Sequence, residues 1–133
     1  MPKNIALIKR ARPTCILYHN PRCSKSRATL ELLQARGVEP EVILYLKTPP
    51  SVAQLKALLG KLKLKPIELL RKGEEEYQTH VADKQLSDAQ LLALMAQYPV
   101  LIGRPILVVG DQAALCRPPE NALPLLGLKS LLK

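Results

Sequence analysis

The sequence predicts a single mixed α/β domain, and three observations lead to this fold class. The chain has 133 residues and a hydrophobic fraction of 47%, which suffices for one core but would leave two domains too small. Short β-prone segments and a longer helical segment alternate over residues 14–45. A continuous apolar run at residues 106–109 then indicates a buried strand, and the Gly110-Asp111 pair after it is typical of a hairpin turn.

The first elements form a strand–helix–strand unit. Residues 14–18 are β-prone and end at His19-Asn20-Pro21. Residues 24–36 carry apolar side chains at helical spacing, and Gly37 supplies a helix stop. Residues 41–45 read as a second strand. Because two strands joined through a helix normally pair in parallel, we expect a parallel βαβ unit here.

Helices are predicted next, and a strand pair after them. Capping boxes are formed by Ser51 with Gln54 and by Ser87 with Gln90, Pro66 can open a helix between them, and Pro99 ends the last one. Strands at residues 106–109 and 113–116 and a final helix over residues 118–126 complete the order βαβ, helices, ββα. We therefore predict one domain at residues 13–130, with a helical insertion at about 51–98, preceded by a basic tail at residues 1–12.

The charge distribution limits the classes of partner. The formal charge is +9, but seven basic residues precede Glu31, the first acidic residue, and the remaining chain is nearly balanced. The excess therefore belongs to the tail and to the segment around Cys23. With no Phe or Trp and only four Tyr, the chain lacks a stacking platform for nucleic acid, so a nonspecific nucleic-acid binder rests on charge alone. We expect no specific nucleic-acid partner.

The cysteine pattern and the hydropathy predict a cytoplasmic protein. Three cysteines, an odd number at scattered spacing, do not make a disulfide framework, and they indicate a reducing compartment. No apolar run approaches the ~20 residues that a membrane span needs. The sequence therefore predicts no membrane contact.

The densest chemical signal is the run His-Asn-Pro-Arg-Cys-Ser-Lys-Ser-Arg at residues 19–27, between the first strand and the first helix. A helix N-terminus favours anions, so Cys23 there should have its thiolate stabilised and its pKa lowered. The same run carries cations, counting a protonated imidazole, and hydroxyl donors: Arg22, Lys25, Arg27, His19, Ser24 and Ser26. The segment is therefore suited both to a thiolate and to an incoming oxyanion.

The other cysteines are interpreted as structural. Cys15 lies inside an apolar strand, and Cys116 lies at a strand end beside Arg117. No second cysteine follows Cys23 at the spacing of a CxxC motif, so the chain cannot close a dithiol disulfide there. A redox cycle at Cys23 must recruit a thiol from outside the chain.

Four motifs in sequence resemble the glutaredoxin-linked arsenate reductases and their uncharacterised close relatives. They are residues 19–27 with the helix after them, Leu69-Leu70-Arg71, Arg104-Pro105-Ile106 and Leu115-Cys116-Arg117-Pro118. The resemblance covers about residues 14–126 in matching order, and it leaves out only the basic tail.

The resemblance implies a thioredoxin-like fold, with a mixed four-stranded sheet, an inserted helical region and a cis peptide bond before Pro105. It also implies an arsenate reductase in which Cys23 is the nucleophile and His19 tunes its thiolate. The residues implied to bind the oxyanion are Arg71, Arg104, Arg117, Ser24 and Ser26. The family's chemistry uses arsenate as substrate, glutathione as co-substrate and glutaredoxin as partner, and we expect no bound cofactor or metal.

Two other functions are compatible with this fold. One is a non-catalytic, Spx-like regulator that binds RNA polymerase, although such regulators typically sense redox state through a CxxC motif that this chain lacks. The other is a thiol oxidoreductase with a different oxyanion or a disulfide as substrate. Lys25, which stands where the family often has a smaller residue, leaves the preferred oxyanion open.

Overall fold

The computed structural model describes residues 15–127, and a four-stranded mixed sheet lies at their centre. The strands are β1 (Cys15–His19), β2 (Glu41–Leu44), β3 (Ile106–Val109) and β4 (Gln112–Leu115), in the order β2-β1-β3-β4. The β1–β2 pair is parallel, and the β1–β3 and β3–β4 pairs are antiparallel. This arrangement confirms the predicted thioredoxin-like fold class. The basic tail predicted at residues 1–12 and the outermost residues of the predicted domain lie outside the described residues.

The helices follow the predicted order. Helix α1 (Ser24–Ala35) joins β1 to β2, and four helices lie between β2 and β3: α2 (Val52–Leu62), α3 (Pro66–Leu69), α4 (Glu75–His80) and α5 (Asp88–Gln97). The capping boxes at Ser51 and Ser87 are confirmed, because each hydroxyl accepts the backbone N–H three residues on at 3.1 Å. Within residues 15–127, no helix is long and apolar enough to cross a membrane.

Two elements differ from the sequence prediction. Helix α4 was not predicted, because it buries no residue and so has no apolar periodicity; its N-terminal turn is acidic, which complements the helix dipole. The last helix is a 3₁₀ helix over Pro119–Leu126. Pro124 inside it has no backbone N–H to donate, which disfavours a regular α-helix.

The sheet separates two apolar clusters. On one face, Leu17 of β1 and Leu107 of β3 pack with Leu33 of α1 and with Ala122 of the C-terminal 3₁₀ helix. On the other face lies a larger cluster that the inserted helices complete, and it includes Leu55, Leu91, Met95, Ile106 and Val108. The central strands are thus buried on both faces, which fixes the strand ends that carry the candidate site.

Four chain segments meet at one edge of the sheet. The register pairs His19 with Leu44 in parallel, and it pairs Ile106 with Tyr18 and with Leu115 in antiparallel fashion. The chain therefore leaves β1, β2 and β4, and enters β3, at the same edge. The peptide bond between Arg104 and Pro105 is cis, which confirms the expectation from the resemblance, and the bond between Arg117 and Pro118 is also cis.

Candidate active site

Cys23 occupies the N-cap position of α1, at the sheet edge where β1 ends. Its backbone is extended, with φ −95° and ψ 124°, and its carbonyl accepts the Arg27 N–H at 3.0 Å. A tight turn precedes it, in which the Cys23 N–H donates to the Asn20 carbonyl at 3.0 Å. The side chain is only half-buried. The sulfur therefore lies beside the free N–H groups of the first helical turn and remains open to a reactant.

The surroundings of Cys23 favour its thiolate. Burial alone would raise the pKa of this thiol, but the backbone N–H groups of Ser26 and Lys25 and the guanidinium of Arg104 outweigh it, so the pKa lies below its ordinary value. By contrast, burial raises the pKa of Cys116 to about 12 and also raises the pKa of Cys15. Of the three cysteines, Cys23 alone has a lowered pKa, which makes it the candidate nucleophile of the site.

The cation that acts most strongly on Cys23 differs from the sequence expectation. Arg22 and Lys25 lie within two residues of Cys23 in the sequence, but both are exposed to solvent. The Arg27 Nη1 donates to the Pro21 carbonyl at 2.9 Å, so this side chain braces the loop. The leading side-chain contribution to the lowered pKa of Cys23 comes instead from Arg104, which is remote in sequence. Exposed charges are screened by water, which is why proximity in sequence misled the prediction.

His19 is buried and hydrogen-bonded within the loop. Its Nδ1 lies 2.7 Å from the Ser26 Oγ, which also accepts the Asn20 N–H at 3.0 Å. Burial, and secondly the charge of Arg27, lower the pKa of His19. The structure therefore favours a neutral imidazole over the protonated one expected from the sequence, because charging a buried ring is unfavourable.

The two serines of the motif have different surroundings. Ser24 follows Cys23 directly and is exposed. Ser26 is fully buried, and its hydroxyl is engaged by His19 and by the Asn20 N–H. Of the two predicted substrate ligands, Ser26 therefore offers its backbone N–H to the Cys23 sulfur while its side chain orders the loop.

A short antiparallel bridge holds two of the predicted arginines side by side. Leu70 pairs with Ile102, the Arg71 N–H donates to the Leu101 carbonyl, and the Gly103 N–H donates to the Leu69 carbonyl, both at 2.8 Å. A Cβ at Gly103 would lie 3.0 Å from the Leu69 carbonyl oxygen, so this close approach favours glycine. The bridge places Arg71 next to the segment that carries Arg104.

Arg117 joins them through the β3–β4 hairpin. The Cys116 N–H donates to the Pro105 carbonyl at 2.9 Å, which extends the strand pairing by one step and sets Arg117 opposite Arg104. Burial, and next the charge of Arg104, lower the pKa of Arg71; Arg117 acts in the same direction, whereas Glu74 opposes it. The three arginines therefore form one mutually repelling group, which an anion would stabilise.

In the described part of the chain, one carboxylate pairs with this arginine group. The Arg71 Nη1 lies 2.5 Å from the Glu74 Oε2 in a partly exposed ion pair, and this is the one salt bridge found within residues 15–127. The Nε and Nη1 atoms of Arg104 are buried and have no hydrogen-bond partner among the described residues. Buried guanidinium donors are costly to leave unpaired, so Arg104 is suited to an oxyanion ligand.

An open cleft of about 420 Å³ lies beside the arginines, large enough for a tetrahedral oxyanion. Its lining includes basic, acidic and backbone groups from the bridge and from the end of β4: Glu68, Leu69, Leu70, Arg71, Lys72, Gly103, Leu115 and Arg117. Within residues 15–127, no group of three or more potential metal ligands occurs. The charged side chains of the lining are those of Arg71, Lys72 and Arg117, with Glu68 as the opposing carboxylate.

Two residues of this site were not predicted from the sequence. Tyr45 is 1% exposed and interacts electrostatically with Arg104, Arg71 and Cys23, and the Asn20 side chain hydrogen-bonds its hydroxyl. The sequence did contain a signal for Tyr45. The carboxyl ends of parallel strands meet at one edge of a sheet, and Tyr45 directly follows β2, which is parallel to β1. A polar residue at that position was therefore a candidate.

Comparison with known proteins assigns this chain to a family. The model of the ArsC family matches residues 18–124. The uncharacterised protein YfgD of Escherichia coli is 48% identical over 113 residues, which cover 84% of this chain and 95% of that protein. An arsenate reductase of Haemophilus influenzae is 41% identical over 113 residues, which cover 84% of this chain and 97% of that protein. The structure of an arsenate reductase from Vibrio cholerae is similar with a TM-score of 0.82 at 48% identity, and the match covers 86% of this chain and 99% of that one. The chain belongs to the ArsC family.

Proposed function

We propose that this chain is an arsenate reductase that depends on glutathione and glutaredoxin, with Cys23 as its nucleophile. The observation that carries the proposal is a stabilised thiolate next to a guanidinium that still has two unpaired donors. Arg104 lowers the pKa of Cys23, and its Nε and Nη1 are buried without a partner. The same edge of the sheet thus offers a nucleophile and donors for the oxyanion that it would attack. The arsenate reductases at 41–48% identity support this substrate.

The arginine group fits the binding of arsenate. A guanidinium presents fixed, planar donors that match two oxygens of a tetrahedral oxyanion, which a lysine ammonium does not. Arg104 would hold the oxyanion against the sulfur, while Arg71 and Arg117 on the cleft wall would bind the remaining oxygens. Arsenate binding then relieves the repulsion among the three cations.

The first step forms a bond between Cys23 and arsenic. The thiolate attacks arsenic(V), and one arsenate oxygen takes up protons and leaves as water. The product is a thiolate–arsenic(V) adduct whose remaining oxygens stay negative, so the arginines stabilise it as they stabilise the substrate. No electron has yet been transferred.

The later steps use thiols from outside the chain, since Cys23 has no CxxC partner. Glutathione displaces a second oxygen as water and forms an arsenic–sulfur bond. A glutaredoxin thiolate then attacks the glutathione sulfur, and the electron pair of that bond stays on arsenic, which becomes arsenic(III). Glutathione and glutaredoxin leave as a mixed disulfide, and hydrolysis releases arsenite and the Cys23 thiol. We place this cycle in the cytoplasm, where reduced glutathione is available.

Coupled turnover tests the proposal. Consumption of NADPH is followed with arsenate, glutathione, glutaredoxin and glutathione reductase, for the wild type and for Cys23→Ser. We expect turnover in the wild type and its loss in Cys23→Ser, because a serine hydroxyl does not ionise near neutral pH. Cys15→Ser is the matched control, since burial raises the pKa of Cys15 and it lies outside the site; it should retain turnover.

Three outcomes would contradict the proposal. Turnover that survives in Cys23→Ser would remove Cys23 from the mechanism. No turnover in the wild type, with a thiol at Cys23 that still ionises readily, would indicate a different oxyanion or a disulfide as substrate. Stoichiometric binding of RNA polymerase without turnover would favour the regulator instead.

A further inference from the structure

Tyr45 is a polar residue of the larger apolar cluster, buried at the end of the sheet that carries the candidate site. It directly follows β2, and the parallel register that pairs His19 with Leu44 sets Tyr45 beside Asn20. Its side chain is 1% exposed, yet it carries a hydroxyl that ordinary core packing does not need. Buried hydroxyls are nearly always engaged in hydrogen bonds, so the partners of this one indicate what it does.

Asn20 engages the oxygen of this hydroxyl. The Asn20 Oδ1 accepts the Arg22 N–H at 3.0 Å, which leaves the amide N–H groups of the same side chain as donors. The Asn20 side chain hydrogen-bonds Tyr45 and lowers the pKa of its phenol, as a donor to the oxygen does. With its oxygen accepting from Asn20, Tyr45 retains its own hydrogen for another acceptor.

The remaining neighbours define that acceptor. The Tyr45 hydroxyl interacts with Arg104, Arg71 and Cys23. Guanidinium groups only donate, so neither arginine can accept this hydrogen. Cys23 acts on the Tyr45 phenol through its charge and not through a hydrogen bond, which argues against the sulfur as the acceptor. An oxygen of an anion bound between the sulfur and the arginines meets the requirement.

The ionisation state of Tyr45 supports this role. Burial raises the pKa of the phenol, and this effect outweighs the opposing influence of Arg104 and Arg71. The hydroxyl therefore keeps its proton at neutral pH and can donate it in a hydrogen bond.

We propose that the Tyr45 hydroxyl, held by the Asn20 amide, is a further oxyanion-binding group that donates a hydrogen bond to the anion between Cys23 and Arg104. The inference rests on the proposed function for the identity of the anion. The Tyr45 hydroxyl would add a neutral hydrogen-bond donor to the three cationic arginines. Because Tyr45 follows β2 and does not belong to the Cys23 loop, its hydroxyl contacts the oxyanion without altering the sulfur.

Protection of Cys23 against alkylation tests the inference without turnover. The rate of iodoacetamide modification at Cys23 is measured by mass spectrometry over a series of arsenate concentrations, with no glutathione present. We expect half-protection of Tyr45→Phe to need about tenfold more arsenate than the wild type, as loss of a hydrogen bond to a charged group predicts. Without arsenate, the alkylation rate of Cys23 in Tyr45→Phe should differ from that of the wild type by less than twofold. The pH midpoint of that rate should also change little. Tyr18→Phe, which removes a phenolic hydroxyl from β1, is the matched control and should behave as the wild type.

Two outcomes would overturn the inference. Equal protection of Tyr45→Phe and wild type would show that the hydroxyl does not touch the anion. A shifted pH midpoint with unchanged protection would make Tyr45 a residue that only positions the Cys23 loop. If Tyr45→Phe does not fold, Tyr45→Met provides a second side chain without a hydroxyl for the same buried space. Weakened protection in a protein that does not reduce arsenate in the coupled assay would support the inference and refute the proposed function.

Discussion

Replacing Arg104 by Met removes the main side-chain charge beside Cys23 while keeping a long apolar stem. Arg104 acts on the thiolate both through its charge and through a side-chain hydrogen bond, and the backbone N–H groups of Ser26 and Lys25 remain in the variant. We therefore expect the pKa of Cys23 to rise in Arg104→Met without reaching that of the buried thiol of Cys116.

The expected size follows from the kind of contact that is lost. A hydrogen bond to a charged group contributes about 1.5–3 kcal/mol, and the half-exposed sulfur calls for the lower end of that range because water screens the charge. Since about 1.4 kcal/mol corresponds to a factor of ten, the thiolate fraction at a pH below the pKa should fall about tenfold. Alkylation by iodoacetamide, which only the thiolate undergoes, should slow by the same factor.

The assay is the pH profile of alkylation for the wild type, Arg104→Met and Arg22→Met. The Arg104→Met profile should rise at higher pH and reach a similar plateau once both thiols are ionised. Arg22→Met removes an equal charge from the residue next to Cys23, and because that side chain is exposed its profile should move little. The reasoning would be refuted if the alkylation profile shifted equally in both variants, or did not shift in Arg104→Met. The cations close to Cys23 in sequence would then be the cause of its lowered pKa.

Three further predictions concern the loop and the arginine bridge. Ser26→Ala should lower the free energy of unfolding by about 1–3 kcal/mol, measured in urea, because it leaves the buried His19 ring and a loop N–H without their partner; an unchanged value would mean that water replaces the hydroxyl. The pKa of His19 lies below its ordinary value of 6.5, so the unfolded chain binds a proton more readily than the folded chain, and this contribution to stability should be present above pH 6.5 and be lost as the pH falls towards the folded-state pKa; denaturation at several pH values should show that loss in the wild type and less of it in His19→Gln, and equal slopes would contradict it. Glu74→Gln should free Arg71 and lower the arsenate KM several-fold in the coupled assay, while it costs less than about 1 kcal/mol of stability as expected for a partly exposed ion pair; a raised KM would show that Glu74 orients Arg71 productively.

Much of the fold was predictable because its signals are local. The capping boxes at Ser51 and Ser87, the apolar spacing of α1 and the continuous run of β3 each report on a few consecutive residues. Helix α4 escaped prediction because it buries nothing and so carries no apolar pattern. The C-terminal element was predicted as a helix, but the position of Pro124 within it made it a 3₁₀ helix.

The sequence by itself determined that Cys23 stands at a helix N-terminus without a CxxC partner, and its family resemblance supplied the three arginines. Only the tertiary structure decided which groups act on the sulfur: it turned Ser26 towards His19, brought Arg104 to Cys23 and set Tyr45 beside Asn20. Secondary-structure signals depend on neighbours along the chain, whereas burial and electrostatic interaction depend on distance in space. The pairing register of the four strands sets the distances between the residues that follow or precede the strands at this edge. That register depends on all four strands, so no single segment of the sequence encodes it.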